Sequence, residues 1–375
     1  MKIAVNTRFL IKDRIEGIGR FTQELVSRLV NSHPEVEFHF LFDEAYESDL
    51  IDYKNVTPHV LFPPIKHASL GKIWFDHSVR RKLRQLKPDV FLSTDSMNTL
   101  HPEFKTATVI HDLNFEHFPE YFSPSWRNYY LNRVPVVARE SDAIFTVSEF
   151  SAKDITRQYG IDSEKITVIY NGASTQFIPS SPNKFESVKK RFSDGKEYFL
   201  FVGGMYHRKN LLRLFKAFEQ FKEKSGSETV LVMAGRHVSD SVEVISEIKK
   251  SRFRADIITP GRINDEDLPD LMSAARALTY VSVFEGFGMP VLEAMSCGIP
   301  ILTSNGTSLP EIAGDAAYYA DPFDVESICA GLVQLDSDPE LRAKLAEKAL
   351  TRAQLFKWDD GAEKAWTVLS KLIRF

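Results

Sequence analysis

Two glutamates with seven residues between them bracket the run Glu285-Gly-Phe-Gly-Met-Pro-Val-Leu-Glu293, which follows the apolar, strand-like stretch Ala277–Val281. Gly286 and Gly288 break the regular backbone, Pro290 suits a first helical turn, and Val291 to Cys297 reads as helix. A strand, a glycine turn and a helix N-terminus follow one another here, and the unpaired N–H groups of such a terminus favour an anion such as a diphosphate. Glu293 falls in the following helical turns, where a carboxylate can accept hydrogen bonds from two neighbouring sugar hydroxyls. Glu285, at the strand end, can meet a second polar group. The same residues also fit a capped helix carrying two solvated glutamates.

Phe201-Val-Gly203-Gly204-Met-Tyr-His-Arg208-Lys209-Asn210 repeats the pattern: a strand ends in glycines, and two adjacent cations precede a helix at Leu211. On an ordinary loop such a pair is solvated. At a strand end opening on a ligand it suits a diphosphate, since Arg offers a bidentate fork and Lys a point charge. Thr106–Leu113 puts His111 and Asp112 at another strand end, the functional edge of a parallel sheet, with a structural histidine as the alternative. Ser148, before a further helix, either binds an acceptor or phosphate or caps the helix. Glu16-Gly17-Ile-Gly19-Arg20 begins like a dinucleotide fingerprint, but Thr22 stands at the third glycine position and the loop after the first strand is too long for a nicotinamide site. Gly17 and Gly19 instead let backbone approach a phosphate or sugar, or simply start a helix. Ser308 and Glu311 have the spacing of a capping box.

The elements that must position these groups alternate along the whole chain. Strands are expected at Lys2–Asn6, Glu37–Phe42, Asp89–Ser93, Thr106–Ile110, Ala143–Val147 and Ile166–Tyr170. A second series runs Tyr198–Val202, Thr229–Ala234, Asp256–Thr259, Ala277–Val281 and Ile299–Thr303, with helical stretches such as Ile18–Val30, Leu211–Phe221 and Pro339–Leu350 between or after them. Such alternation predicts an α/β fold of two doubly wound domains with parallel sheets covered on both faces. The turn-rich segment around Pro179-Ser-Ser-Pro-Asn183 places a linker at 174–196, between domains 1–173 and 197–356. Length and 43% hydrophobic content suffice for two cores, while a net charge of −4 gives no pull toward nucleic acid. Two cysteines encode no disulfide framework and no apolar run reaches a membrane span, so a cytoplasmic protein is expected.

The Glu-x7-Glu run with its internal Gly-Phe-Gly-x-Pro resembles the donor-site motif of the retaining glycosyltransferases of family 4, and Ala294-Met-Ser-Cys-Gly-Ile-Pro300 resembles that family's continuation. Arg208-Lys209-Asn210 is similar to its Gly-x-Arg-Lys-Asn donor loop, and His111-Asp112 to its His-Asp pair. The resemblance implies the GT-B architecture, two Rossmann-like domains facing across a cleft, with the last helix, 357–375, crossing back to the N-terminal, acceptor-side domain. It further implies that Glu293 binds the nucleotide ribose, that His111 and Glu285 hold the donor sugar, and that Arg208 and Lys209 stabilise the leaving diphosphate. Donor contacts are carried over to Gly17, Gly19, Gly203, Gly204, Gly286, Phe287, Gly288 and Met289, with Asp112 and Ser148 as acceptor or phosphate candidates. One departure stands out: Gly204 occupies a place where many members carry arginine.

The activity so implied is transfer of a hexose from a nucleotide-sugar to a hydroxyl of a growing glycan, such as a cell-surface polysaccharide or a lipid-linked oligosaccharide. The configuration is retained, with no cofactor and no metal. Asn6-Thr-Arg, Glu16-Gly-Ile-Gly-Arg and the Arg208-Lys209-Asn210 form resemble the mannosyltransferase-like branch, so GDP-mannose is the expected donor. A sugar-nucleotide 2-epimerase of the same fold and a non-catalytic sugar-nucleotide-binding subunit are the alternatives. The segment Gly71–Lys87 carries six Lys or Arg against one Asp, with Val79, Leu83 and Leu86 at helical spacing. It reads either as a core-facing helix with a solvated basic face or as a peripheral contact with the inner face of the membrane.

Overall fold

The computed structural model describes residues 1–11, 17–46, 51–238 and 241–373. Glu16, from the first glycine motif, and positions 374–375 of the expected last helix lie outside them. The chain divides into two compact units, Met1–Asn171 together with Lys357–Phe375, and Gly172–Phe356.

The first unit is built on seven parallel strands, β1 (Lys2–Asn6), β2 (Glu37–Phe42), β3 (Val56–Val60), β4 (Val90–Ser93), β5 (Lys105–Val109), β6 (Ala143–Thr146) and β7 (Ile166–Val168), in the order β3-β2-β1-β4-β5-β6-β7. The second has six, β8 (Tyr198–Val202), β9 (Val230–Ala234), β10 (Ile257–Gly261), β11 (Ala277–Tyr280), β12 (Ile301–Ser304) and β13 (Tyr318–Ala320), in the order β10-β9-β8-β11-β12-β13. Central strands are apolar without alternation because helices cover both faces: Ile3, Ala4 and Val5 of β1 and Tyr198 to Phe201 of β8 are fully buried. The order reverses between β1 and β4 and again between β8 and β11. In open parallel sheets these switch points splay the loops at the strands' C-terminal ends and leave room for a ligand.

Two strands escaped sequence reading, β3 and β13, and both are sheet edges. β3 carries Pro58 among half-exposed residues, which an edge tolerates because one row of N–H groups needs no partner. β13 is three residues long, too short for a period to register. The expected linker 174–196 is not a tether. It contains helix Phe185–Phe192, which packs on helix Leu268–Ser273, and Phe177 is buried, so the segment belongs to the second unit.

The last helix, Trp358–Ile373, packs on helix Ile18–Ser32 of the first unit. Trp358 meets Phe21, Trp366 stacks on His33 at 3.5 Å, and Arg28 donates to Asp359 at 2.5 Å. Gly361 permits the approach to β7's end, since a Cβ there would lie 2.9 Å from the Tyr170 carbonyl oxygen. The basic segment forms a continuous helical run, Ala68–Ile73, a π-turn at Trp74–Val79, and Arg80–Leu86. Trp74, Phe75, Val79 and Leu83 face the core, so the apolar stripe is packing.

Candidate active site at the second sheet's switch point

β8 ends at Val202, and the N–H of the next residue, Gly203, donates to the Ala234 carbonyl at 2.9 Å. Gly235, at the end of neighbouring β9, passes so close that a Cβ would lie 1.8 Å from the Gly203 oxygen. Position 235 therefore admits no side chain beside the 203–210 loop. A short turn at His207–Lys209 leads to Asn210, which adopts a left-handed φ of 62°. The Asn210 side-chain amide donates to the Val281 carbonyl at 2.9 Å and the Pro322 carbonyl at 2.6 Å, while the Val283 N–H donates to the Arg208 carbonyl at 2.9 Å. The loops after β8 and β11 are thus zipped together across the switch point.

That zipper brings Arg208 and Lys209 onto one carboxylate. Arg208 Nη1 lies 2.7 Å from Glu285 Oε2, and Lys209 Nζ lies 2.6 Å from Oε1. Lys209 Nζ also donates to the Tyr280 hydroxyl and sits 4.7 Å above that ring's centroid; the hydroxyl donates on to Glu285 Oε1 at 3.1 Å. Glu285 is only 5% exposed. Burial opposes its ionisation, but Arg208 and Lys209 outweigh burial and hold the carboxyl at about 2. Burial, and then the Glu285 charge, push the Tyr280 phenol well above its ordinary value, so the group is neutral. The four side chains carry a net single positive charge beside a helix start, with Lys209, Tyr280 and Glu285 buried and Arg208 26% exposed.

Gly288, at a φ of 99°, is the cap of helix Met289–Ser296, with Pro290 in the first turn. A Cβ at Gly288 would also approach Leu309 to 2.7 Å. The N–H groups of Val291 and Leu292 turn back to the Gly288 carbonyl. Glu293 lies in the next turn and is buried. Phe287 is buried too, its ring edge-on to Phe356 at 5.9 Å, so its side chain serves packing. The expected Ser308–Glu311 capping box does not form. Ser308 has helical backbone angles, and its hydroxyl instead donates to the Glu285 and Phe287 carbonyls at 2.9 and 3.1 Å, fastening the glycine turn from the loop after β12.

The remaining expected residues lie in the first unit. His111, after β5, places Nε2 2.9 Å from the Thr94 carbonyl oxygen; a carbonyl only accepts, so Nε2 carries the proton and Nδ1 the lone pair. Burial lowers its pKa, which keeps the ring neutral at pH 7. Asp112 accepts from the Asn114 N–H at 3.0 Å and caps the next turn. Ser148 is fully buried and accepts from the Ser151 N–H at 3.0 Å, an N-cap for helix Glu149–Tyr159. Gly17, at a φ of 39°, caps helix Ile18–Ser32, and Gly19 is buried in its first turn. Sequence reading missed the Arg8–Asp95 pair, which meets at 2.6 Å at the ends of β1 and β4 with side chains 10% and 4% exposed. It also missed Tyr280 and Gly235, whose only sequence signal is position, one the last residue of β11 and the other the first beyond β9.

The family model "Glycosyltransferase Family 4" matches residues 15–177, and "Glycosyl transferases group 1" matches 182–352. The O-antigen chain mannosyltransferase B of Escherichia coli is 30% identical over 93% of this chain and 94% of its own length. Among solved structures, sucrose-phosphate synthase from Thermosynechococcus elongatus superposes with a TM-score of 0.81 over 100% of this chain and 99% of its own, at 16% identity. Anabaena HepE in complex with UDP-glucose gives 0.76 over 99% of this chain and 100% of its own at 18% identity, and both likenesses are of fold. With one relative matched along nearly its whole length and a glycosyltransferase model on each unit, the chain belongs to glycosyltransferase family 4, with the GT-B fold.

Proposed function

We propose that this glycosyltransferase moves a mannosyl group from GDP-mannose to a hydroxyl of a growing cell-surface polysaccharide, with retention of configuration and without a metal ion. The observation that carries the reading is the Arg208–Lys209–Glu285 cluster beside the Gly288 helix start. Breaking the anomeric carbon–oxygen bond leaves negative charge on the departing β-phosphate. Two fixed cations and the helix N-terminus stabilise that charge without solvent reorganisation. Glu293 is assigned to the ribose, while His111 and Glu285 are assigned to the sugar. The acceptor attacks from the leaving-group face, and the leaving phosphate takes its proton. Mannose and the polysaccharide acceptor are supported by the name of the E. coli relative, and a nucleotide-sugar donor by the HepE complex.

A panel of GDP, UDP and ADP in thermal-shift assays, followed by turnover of the matching nucleotide-sugars, tests the reading. Stabilisation by GDP, near 2.7 kcal/mol at about 100 times its dissociation constant, is expected to disappear in Glu293→Ala. No stabilisation by any nucleoside diphosphate would refute the site. Product NMR showing inverted configuration would refute retention, and loss of turnover in EDTA would refute metal independence.

The acceptor side of the reading includes contact with an anionic membrane surface. No helix of the described residues is long and apolar enough to cross a membrane. The helical run 68–86 nevertheless turns Lys72, Ile73, His77 and Arg81 outward, and Phe62, 81% exposed, sits beside it because Trp74 Nε1 donates to the Leu61 carbonyl at 2.9 Å. Exposed apolar side chains among cations suit an anionic lipid interface. Absence of co-sedimentation with anionic liposomes at physiological salt would remove this part of the proposal.

A further inference from the structure

We propose that Tyr280 is a positioning residue for the transfer reaction, holding the Lys209 ammonium on the path of the leaving phosphate when Glu285 alone would not. The inference rests on the reading of Lys209 as a phosphate ligand and adds a residue to it.

A lysine has four rotatable bonds and a compact, strongly hydrated charge, so a buried ammonium keeps a defined place only if several partners fix it. Lys209, 7% exposed, is held by Glu285 Oε1 at 2.6 Å, by the Tyr280 hydroxyl, and by the face of the Tyr280 ring at 4.7 Å. Of these, Glu285 is a shared partner, since its other oxygen lies 2.7 Å from Arg208. An incoming diphosphate also competes with that carboxylate for both cations, because like charges cannot occupy the same donors without cost. Tyr280 does not compete. Its phenol is neutral, and it offers one oxygen that accepts from Lys209 and one proton that it gives to Glu285.

Tyr280 is itself rigid. It is the last residue of β11, fully buried, with its ring nearly parallel to Phe201 of β8 (6.1 Å, 13°), and its carbonyl accepts from the Thr303 hydroxyl of β12 at 2.8 Å. Both neighbouring strands therefore hold it at the switch point, and it transmits that fixed position to a side chain that has none of its own. A hydroxyl at this place has no packing role that a phenylalanine would not fill.

Tyr280→Phe removes one oxygen and keeps every ring contact, so folding should survive; Tyr280→Leu removes the ring as well. Donor turnover in Tyr280→Phe is expected to fall about 10- to 100-fold in kcat with donor KM within about threefold, less than the about 10²–10³ expected for loss of a direct charge donor. Tyr280→Leu is expected to fall further. In a Lys209→Ala background the same Tyr280→Phe change is expected to lower kcat by less than about twofold, because the group it positions is gone. A merely structural tyrosine gives the opposite pattern: kcat unchanged in Tyr280→Phe, or the same fractional loss with and without Lys209. Either result overturns the inference while wild-type turnover leaves the functional reading standing. Wild-type protein that neither binds a nucleoside diphosphate nor turns over a nucleotide-sugar overturns both.

Discussion

Replacing Glu285 by Gln keeps the side-chain shape and removes the one negative charge between Arg208 and Lys209. The folded carboxyl titrates at about 2 against an ordinary value of 4.5, because the two cations outweigh a burial that by itself would raise it. At roughly 1.4 kcal/mol per tenfold change in proton affinity, that gap corresponds to about 3 kcal/mol of stability. Leaving the buried Lys209 ammonium without its carboxylate independently suggests about 3–5 kcal/mol. Because the folded value lies below the unfolded one, ionised Glu285 stabilises the fold at every pH above 4.5, and the contribution is lost as pH falls toward 2. About 2 kcal/mol of it is gone by pH 3. Urea denaturation of wild type and Glu285→Gln at pH 7 and pH 3 measures this directly. The variant should be less stable by about 3 kcal/mol at pH 7, and the difference should narrow by about 2 kcal/mol at pH 3. A difference that is absent at pH 7, or constant across the range, would refute the assignment of Glu285 as the counter-charge of both cations.

Lys209→Ala should lower turnover by about 10²–10³, measured as kcat with the best nucleotide-sugar, and a loss below tenfold would remove it from charge stabilisation. Gly235→Ala should cost more than about 3 kcal/mol in denaturation and abolish thermal stabilisation by nucleoside diphosphate, since its Cβ would sit 1.8 Å from the Gly203 oxygen and must displace the 203–210 loop. Ser308→Ala leaves the Glu285 and Phe287 carbonyls without their donor, so a loss of about 1–3 kcal/mol is expected, together with weaker diphosphate binding; unchanged binding would show that the glycine turn holds its shape without this tie.

Much of this was legible in the chain itself. Ala277–Tyr280, Gly288 and Met289–Ser296 follow one another as strand, turn and helix, as their residue types dictate, because backbone freedom at glycine, fixed φ at proline and the period of apolar residues act over a few positions. Burial on both faces likewise made the central strands readable as continuous apolar runs, whereas β3 and β13, at the edges, carried no such signature. Ser148 fits a cap or a ligand by its sequence position, and in the structure its hydroxyl accepts the local Ser151 N–H, while Asp112 likewise accepts from Asn114 two residues on.

What the sequence by itself determined, then, was the order of elements and which residue types stand at strand ends. Sheet order decided the rest. Arg208 and Lys209 look like a solvated pair until β8 and β11 become neighbours and set Glu285 between them. Tyr280 reads as a core aromatic until Lys209, 71 positions away, lies over its ring. Arg8 and Asp95 meet across 87 positions because β1 pairs with β4. Ser308 has the spacing of a cap, yet its hydroxyl is drawn to two carbonyls of a turn more than twenty residues earlier. Local geometry is written in neighbouring residues, but which distant charges share a dry pocket depends on how strands are ordered, and that order follows from the packing of the whole sheet.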